Sequence, residues 1–437
     1  MLHRAFFWLA SVLFLALIVV YWRLGLKHSW GILLALVFAF VAFYLAFLLR
    51  AGPAPHSSPK GVRVRQQPSE KHGEEQDSQS PNIVGDVRVT VGYSTKEPPP
   101  AECVEEEPDE AAASQTFHSR EIFYVTDRLV LMKDGRRTYG DRHPQGYVSY
   151  GKCSVSIPIS HRIGHLETPS IWKLEFKPKP EKHVVVLEVE KLDKEAFFDS
   201  VKAAVESAKS REAFVFIHGY NVSFQDAARR TAQMAFDLGF VGAPIFYSWP
   251  SAGNFWQYTR DETNVEWTIP HLKAFLTDLA ARVSATTIHL IAHSMGNRAL
   301  ARALEQMAGA GEANVAFRHI ILTAPDIDAD TFRTLAAAMR PVATSVTMYS
   351  SHLDKALMAS KRFHGYPRAG EVILIVGGVD TIDASAVNTS FLGHSHFGES
   401  RSVIEDIYWL LRNQPPENRF GITRKQSPDG NYYVFRP

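Results

Sequence analysis

Cysteine is scarce in this sequence, since only Cys103 and Cys153 occur among 437 residues. Two cysteines exclude a disulfide-dense scaffold and a multi-cysteine zinc cluster. We interpret them as two unrelated thiols, with a single disulfide as the alternative in an oxidising compartment. An excess of one charge sign is also missing, because the formal net charge is +1. The whole-chain electrostatics therefore give no reason to expect nucleic acid as a partner.

Metal-binding and repeat patterns are missing as well. No H-E-x-x-H motif occurs and the histidines lack ligand spacing, so we expect no metal and no other cofactor. No self-similarity appears at the periods of solenoid proteins. A chain of this length can hold one large domain with attached segments.

Two long apolar runs at the N terminus, residues 5–22 and 30–49, depart from the pattern of a soluble protein. Each run approaches the roughly 20 residues that a bilayer-spanning helix needs. The alternatives are a buried pair of core helices and a signal peptide. A signal peptide has a shorter apolar region and a small-residue cleavage site, and the second run and the missing cleavage pattern argue against it. We predict a transmembrane helical hairpin over residues 1–50 that contacts the lipid bilayer through residues 5–49.

Positive charges around the two runs favour a cytoplasmic location for both chain ends. Arg4 precedes the first run and several basic residues follow the second, beginning with Arg50, whereas the intervening loop carries only Arg23 and Lys27. By the positive-inside rule, we expect a multi-pass protein of the cell inner membrane whose catalytic part faces the cytoplasm.

Composition changes sharply after the second run. Residues 51–116 are rich in Pro, Glu, Ser and Gln, and such a segment cannot bury enough apolar surface to fold alone. We predict a mostly disordered tether there, followed by a folded domain over residues 117–437.

Strand-like and helix-like segments alternate along this domain. Short apolar strands separated by helices are typical of an α/β protein with a mostly parallel sheet and helices on both faces. We predict the last strand over residues 371–380 (EVILIVGGVD). Ligands of such sheets bind beyond the carboxyl ends of the strands, and the polar signatures of this chain are predicted to fall there: residues 218–221, 248–250 and 293–294, Asp326, Asp354 and Asp380.

A serine between a strand-like and a helix-like run is the main chemical signal of the domain. The stretch IHLIAHSMGNRALARALEQM, residues 288–307, contains Ser294 at this junction. G-x-S-x-G in such a context is the nucleophile elbow, which holds the serine hydroxyl at the edge of the sheet. Ala292 replaces the first glycine, and the alternative is an ordinary turn whose serine caps the helix.

Further segments carry a resemblance to a known fold. They are FYVTDR, FIHGYNVSFQDAARR, YSWPSAG, IAHSMGNR, APDIDAD, SSHLDKAL and VDTIDASAVNTSFLGHSHFG, and they are spread over residues 123–398 of the predicted folded domain. The chain resembles the α/β-hydrolase fold, and more closely a bacterial family of esterase- and lipase-like hydrolases without a settled physiological substrate. The resemblance implies an α/β-hydrolase domain, here preceded by the predicted hairpin.

A serine nucleophile needs a base and an orienting acid, which this fold presents in the order Ser, Asp or Glu, His. The base is expected in the loop FLGHSHFG, and the family's Gly-His-Ser followed by an aromatic residue favours His394. His396 stands where the resemblance implies tyrosine, and it stays open as a bystander or a competing base. His319 opens a strand and is expected to be structural.

The acid is expected after the strand SVTMYSS, which places Asp354 in that role. A helix cap is the alternative role of Asp354. Asp326 and Asp328 follow the preceding strand, and Asp380 and Asp383 come after the last one, so they remain the alternative acids.

Two backbone N–H groups are needed to stabilise the oxyanion. One is expected from Met295, the residue after the nucleophile, and the other from Tyr220 in the turn after the strand AFVFIHG. The alternative is an ordinary turn that uses Gly219 for a positive φ, with His218 bracing the loop.

Aromatic residues near the carboxyl edge are possible walls of a substrate pocket, although they can equally pack against the following helix: Trp249, Phe255, Trp256 and Tyr258. The sequence thus predicts a membrane-anchored serine hydrolase that cleaves a small-molecule or lipid-like carboxylic ester through an acyl-enzyme. The alternatives are an acyltransferase, amidase or thioesterase with the same triad, and a catalytically silent, membrane-tethered binding module. The oligomeric state stays open.

Overall fold

A computed structural model describes residues 116–133, 135–169, 175, 177–253, 257–283, 287–310, 317–387 and 401–436. The predicted membrane hairpin and nearly all of the predicted tether lie outside these ranges. Within the described ranges, no helix is both long enough and apolar enough to cross a bilayer.

Eleven strands of the described residues form one sheet, in the order β12-β13-β11-β10-β9-β8-β6-β7-β1-β4-β5, and β2 and β3 form a separate hairpin. The strands from β13 to β1 in this order are parallel to their neighbours, whereas β12, β4 and β5 add antiparallel edges. The strand bounds are β1 Phe117–Thr126, β2 Arg128–Lys133, β3 Arg136–Arg142, β4 Ser149–Pro158, β5 Val185–Leu192, β6 Glu212–Ile217, β7 Ala243–Ser248, β8 Thr287–His293, β9 Phe317–Thr323, β10 Ala343–Ser350, β11 Val379–Asp383, β12 Ile422–Ser427 and β13 Gly430–Phe435.

Helices cover both faces of this sheet, as predicted. Those in the described ranges are α1 Lys194–Ser207, α2 Phe224–Asp237, α3 Tyr258–Arg282, α4 Gly296–Gly309, α5 Ala329–Met339, α6 Lys355–His364 and α7 Arg401–Leu411. Helices α1, α3, α4 and α5 contribute to one apolar cluster, and α2 and α7 contribute to a second. Strand residues alternate between the clusters, since Leu290 of β8 belongs to the first and Ile291 to the second.

The predicted strand over residues 371–380 is wrong in its position. Strand β11 begins only at Val379, directly after Gly378, whose φ is +81°. The preceding apolar run is irregular, although Leu374 within it is buried. Asp380 therefore lies near the start of β11 and away from the carboxyl edge, whereas Asp383 is the last residue of the strand.

A further difference is that the β2–β3 and β12–β13 hairpins were not predicted.

Candidate active site

Ser294 lies in a sharp turn between β8 and α4. Its φ is +49°, in the left-handed region that a residue with a side chain rarely adopts. Its N–H donates to the carbonyl oxygen of Thr323 at 3.0 Å, and its own carbonyl accepts from the backbone N–H of Asn297 at 3.1 Å and from the Asn297 amide at 2.9 Å. Met295 occupies the helix cap position without a side-chain bond. The alternative in which Ser294 caps the helix is therefore not seen.

Two glycines allow the turn after β6 to approach the serine turn closely. A Cβ atom on Gly219 would lie 2.7 Å from Nδ1 of His293 and 2.8 Å from Cβ of Ser294. A Cβ atom on Gly296 would lie 2.3 Å from the carbonyl oxygen of His218. Gly219 is not among the residues with positive φ. Its role is close approach, and the alternative based on a positive φ is wrong.

The predicted oxyanion donors belong to these two contacting turns. Met295 directly precedes α4, so its N–H lies at a helix N-terminus, where partial positive charge favours an anion. Among the described residues, no acceptor for the Met295 N–H is found. Tyr220 directly follows Gly219 in the other turn. The fold thus brings together the two segments that carry the predicted donors.

Arg128, a residue without a predicted role, binds the turn after β6 through hydrogen bonds. Its side chain is buried, and its guanidinium donates to the carbonyl oxygens of Val222 at 2.8 Å, Ser251 at 2.8 Å and Gly140 at 3.0 Å. Its Nε donates to Oγ of Ser248 at 2.9 Å. Burial lowers the pKa of Arg128 to about 10, so the group is a cation at neutral pH. One buried cation therefore links the turn after β6, the turn after β7, and β3.

Asp261, in the first turn of α3, holds the same two turns from a second side. One carboxylate oxygen accepts from Oγ of Ser251 at 2.6 Å and from the N–H of Asn221 at 3.5 Å, and the other accepts from the N–H of Ala252 at 2.8 Å. Burial raises the pKa of Asp261. No local pattern marks Asp261 or Arg128 in the sequence, except that Arg128 ends the segment FYVTDR.

His218 and Trp249 form the buried support of the turn after β6. The two rings stack at 5.1 Å, and Nε1 of Trp249 donates to the carbonyl oxygen of His218 at 2.6 Å. Burial, together with the nearby Arg128 cation, lowers the pKa of His218 to about 3, so its ring is neutral. Trp249 is fully buried. Its observed contacts support the turn, and its role as a wall of a substrate pocket stays a prediction.

Asp326, one alternative acid, is held between two arginines. Its carboxylate lies 3.0 Å from Nε of Arg368 and 3.4 Å from Nη2 of Arg298. Burial alone would raise the pKa of Asp326, but these two cations lower it below the ordinary value. Its backbone N–H donates to the Ser294 carbonyl at 3.2 Å. Asp326 is thus close to the serine turn, with its carboxylate engaged in an ion-pair network.

Asp354, the predicted acid, is a buried residue that caps α6. Its Oδ1 accepts from the N–H groups of Ala356 at 2.9 Å and Leu357 at 3.1 Å. It follows β10, which is separated from β8 by β9 alone, and adjacent strands are about 4.8 Å apart. Asp328 caps α5, and Asp383 accepts from the N–H of Ser385 at 2.9 Å.

The predicted bases, His394 and His396, lie outside the described residues, between β11 and α7. His319 is described and is structural, as expected. It lies within β9, where Nδ1 is 2.6 Å from Oγ of Ser345 and Nε2 is 3.1 Å from Oδ1 of Asn413.

Tyr258, one of the predicted pocket residues, lies beside Asp326 and the turn after β6. Its ring contacts Tyr220 with centroids 5.2 Å apart, and its hydroxyl donates to Asp326 at 2.6 Å. Phe255 and Trp256 lie outside the described residues. The described part of the chain holds no cluster of three metal-ligating side chains.

Solved structures similar to this chain include esterases and a peptidase. Carboxyl esterase 2 from the mycorrhizal fungus Tuber melanosporum has 10% identity and a TM-score of 0.30, covering 69% of this chain and 88% of that one. A fungal esterase from Rhizomucor miehei has 11% identity and a TM-score of 0.27, covering 68% and 84%. The acylaminoacyl peptidase of Pyrococcus horikoshii has 12% identity and a TM-score of 0.29, covering 69% and 56%. Scores this low carry no conclusion about function.

No curated protein matches the sequence. The family described as alpha/beta hydrolase of unknown function (DUF900) matches residues 193–413, which is just over half of the chain. The matched range contains the turn after β6, Ser294 and Asp354. The chain belongs to this family of α/β hydrolases.

Proposed function

We propose that this protein is a serine hydrolase that cleaves carboxylic esters of small molecules or lipid-like substrates through an acyl-enzyme. The observation that carries the proposal is the backbone of Ser294, held at a φ of +49° between β8 and α4. A strained turn of this kind presents a serine hydroxyl beside a helix N-terminus. The absence of a side chain at Gly219 and Gly296 adds support, because it permits the close contact of the two turns.

The proposed reaction has two steps. Oγ of Ser294 attacks the ester carbonyl while His394 accepts its proton, and the oxyanion receives hydrogen bonds from the N–H groups of Tyr220 and Met295. The tetrahedral intermediate collapses, and the alcohol leaves with the proton from His394. Water, deprotonated by the same base, then attacks the acyl-enzyme and releases the carboxylic acid and the free serine.

Asp354 is the acid that the contacts favour. Both of its capping bonds go to Oδ1, so capping of α6 and orientation of a histidine would use different oxygens. Asp326 is engaged by Arg298 and Arg368, and a histidine would compete with these cations for its carboxylate. The position of Asp354 after β10 is also the usual place of the acid in this fold.

The same proposal extends to location. The two apolar runs of residues 5–49 would anchor the chain in the inner membrane, with the catalytic domain on the cytoplasmic side. The domain would then meet substrates that are in the cytoplasm or in the inner leaflet.

A fluorophosphonate probe tests the nucleophile directly. The purified full chain should be labelled, and Ser294→Ala, with the same circular dichroism spectrum, should not. Turnover of an unactivated ester, an amide and a thioester with the same acyl group then separates an esterase from an amidase or thioesterase, and acyl transfer to an added alcohol would identify an acyltransferase. A folded wild-type chain that resists labelling would favour the binding module and contradict the proposal.

A further inference from the structure

The β2–β3 hairpin presents apolar side chains to solvent. Val130 and Leu131 are each 44% exposed, and Met132 is 67% exposed. The two strands pair only with each other and take no place in the eleven-stranded sheet. Successive strand side chains point to opposite faces, so Val130 and Met132 lie on one face of the hairpin and Leu131 on the other, and both faces near the tip carry exposed apolar side chains.

Five cations line an open cleft of about 880 Å³ between the hairpin and the edge strand β5, and three of them, Lys133, Arg136 and Arg137, adjoin the exposed apolar residues within the hairpin. Four of them form no ion pair with any described residue: Lys133, Arg136, Arg137 and Lys177. A fifth, Arg229, is paired with Asp226. Glu188 is the carboxylate among the lining residues. Asp134 lies between the two strands in the sequence. When its negative charge is included, the net charge of the cluster is still positive.

The cleft is separate from the candidate active site, because its lining includes neither Ser294 nor any residue of the turn after β6. A ligand here would therefore not compete with substrate. A soluble anion as the ligand would explain the cations but not the exposed apolar residues. Exposed apolar residues beside cations match a different partner, since a lipid surface takes apolar side chains between its headgroups and cations against its phosphates.

We propose that the tip of the β2–β3 hairpin docks on a membrane surface that contains anionic lipids. Met132 and Leu131 enter the interface, and Lys133, Arg136 and Arg137 lie against the lipid phosphates. The contact is distinct from the N-terminal hairpin predicted from the sequence. It does not depend on the identity of the bond that Ser294 cleaves.

A fluorescent reporter at the hairpin tip tests this proposal in the full chain. Met132→Cys in a Cys103→Ser background is labelled with an environment-sensitive dye. Cys153 is 1% exposed and should stay unlabelled. The matched control is Val241→Cys, since Val241 is 62% exposed and precedes β7, an interior strand that β1 and β4 separate from β5. Both proteins are reconstituted into nanodiscs of phosphatidylcholine alone or of phosphatidylcholine with phosphatidylglycerol. If the chain stays soluble without detergent, it is mixed with vesicles of the same two compositions instead.

The tip dye should shift to the blue and brighten several-fold only with phosphatidylglycerol, and the dye at residue 241 should not change. High salt and the variant K133E/R136E/R137E should each abolish the shift, while the variant keeps its melting temperature and hydrolase activity. An aqueous spectrum in both lipids would refute the proposal. An equal shift in both lipids would refute the role of anionic headgroups. Quenching of the tip dye by inorganic pyrophosphate without a lipid effect would assign the cleft to a soluble anion instead.

Discussion

The buried cation Arg128 should control catalysis through the turn that carries Tyr220. Arg128→Met keeps most of the side-chain volume but removes the guanidinium that bonds Val222 in the turn after β6 and Ser251 in the turn after β7. The carbonyl oxygens of both residues then lose a charged donor in a buried place. Because a buried acceptor without a donor is unfavourable, the turn should shift to find new donors.

Two magnitudes follow. Each hydrogen bond to a charged group contributes about 1.5–3 kcal/mol, and the desolvation cost of the buried cation offsets part of that sum, so the stability lost should be on the order of a few kcal/mol. Loss of one oxyanion donor lowers kcat by about 10²–10³. Arg128 acts on Tyr220 indirectly, so the lower end, about 10²-fold, is the expected loss.

Steady-state hydrolysis of a p-nitrophenyl ester measures the effect, at a temperature well below the melting point of each variant. The kcat of Arg128→Met should fall while KM changes little, and Arg128→Lys should recover part of kcat. The control is Arg419→Met, which removes a fully buried arginine paired with Asp406 and touching neither turn. It should lose stability but keep kcat. Wild-type kcat in Arg128→Met, or equal losses in both Met variants, would refute the reasoning.

Three further predictions concern the base, the pH dependence of stability and the membrane segment. His394→Ala should lower ester turnover by several powers of ten, whereas His396→Ala should retain most of it; the reverse order would assign the base to His396. His289 is buried and stacked on His319 at 5.1 Å, and burial lowers its pKa from 6.5 to about 3. Between about pH 6.5 and pH 3, His289 is therefore protonated in the unfolded chain and neutral in the folded chain. The free energy of unfolding that its burial permits above pH 6.5 is lost as the pH falls towards 3. At about pH 4.5 the loss is on the order of 2 kcal/mol, so His289→Phe should flatten the pH dependence of urea unfolding, and an unchanged slope would contradict it. The full chain should stay in membranes during carbonate extraction, and a chain beginning at Phe117 should be soluble and active, because apolar burial of about 25 cal/mol per Å² is not screened by salt; release by carbonate would contradict the predicted hairpin.

The sheet was predictable because its central strands are short apolar runs bounded by polar turns. The run EVILIVGG shows the limit of that signal. Its apolar residues include the buried Leu374. A buried irregular segment and a buried strand have the same apolar composition, so composition does not distinguish them. Both missed hairpins carry a usable local signal, since Asp134-Gly135 and Asp429-Gly430 are Asp-Gly pairs at or next to their turns.

The candidate site was predictable where its residues are close in sequence. Ser294, Met295 and Gly296 occur together in one motif, and His218–Tyr220 in another. The support of these turns comes from distant segments, since Arg128 is 94 residues from Val222. No periodicity or local spacing encodes such a contact, so a single sequence cannot identify it.

The strain at Ser294 separates a functional from a structural reading of the serine turn. A positive φ at a residue with a side chain costs about 1–3 kcal/mol, and it persists only when the surroundings hold it in place. Here Thr323 and Asn297 bind the serine backbone from both sides, and Gly219 and Gly296 clear the space around it. Glycine at position 294 would remove the strain and lose no helix cap, because Ser294 is not the cap. A turn selected for stability alone would therefore favour glycine, and a serine kept there at such cost is best explained by the chemistry of its hydroxyl.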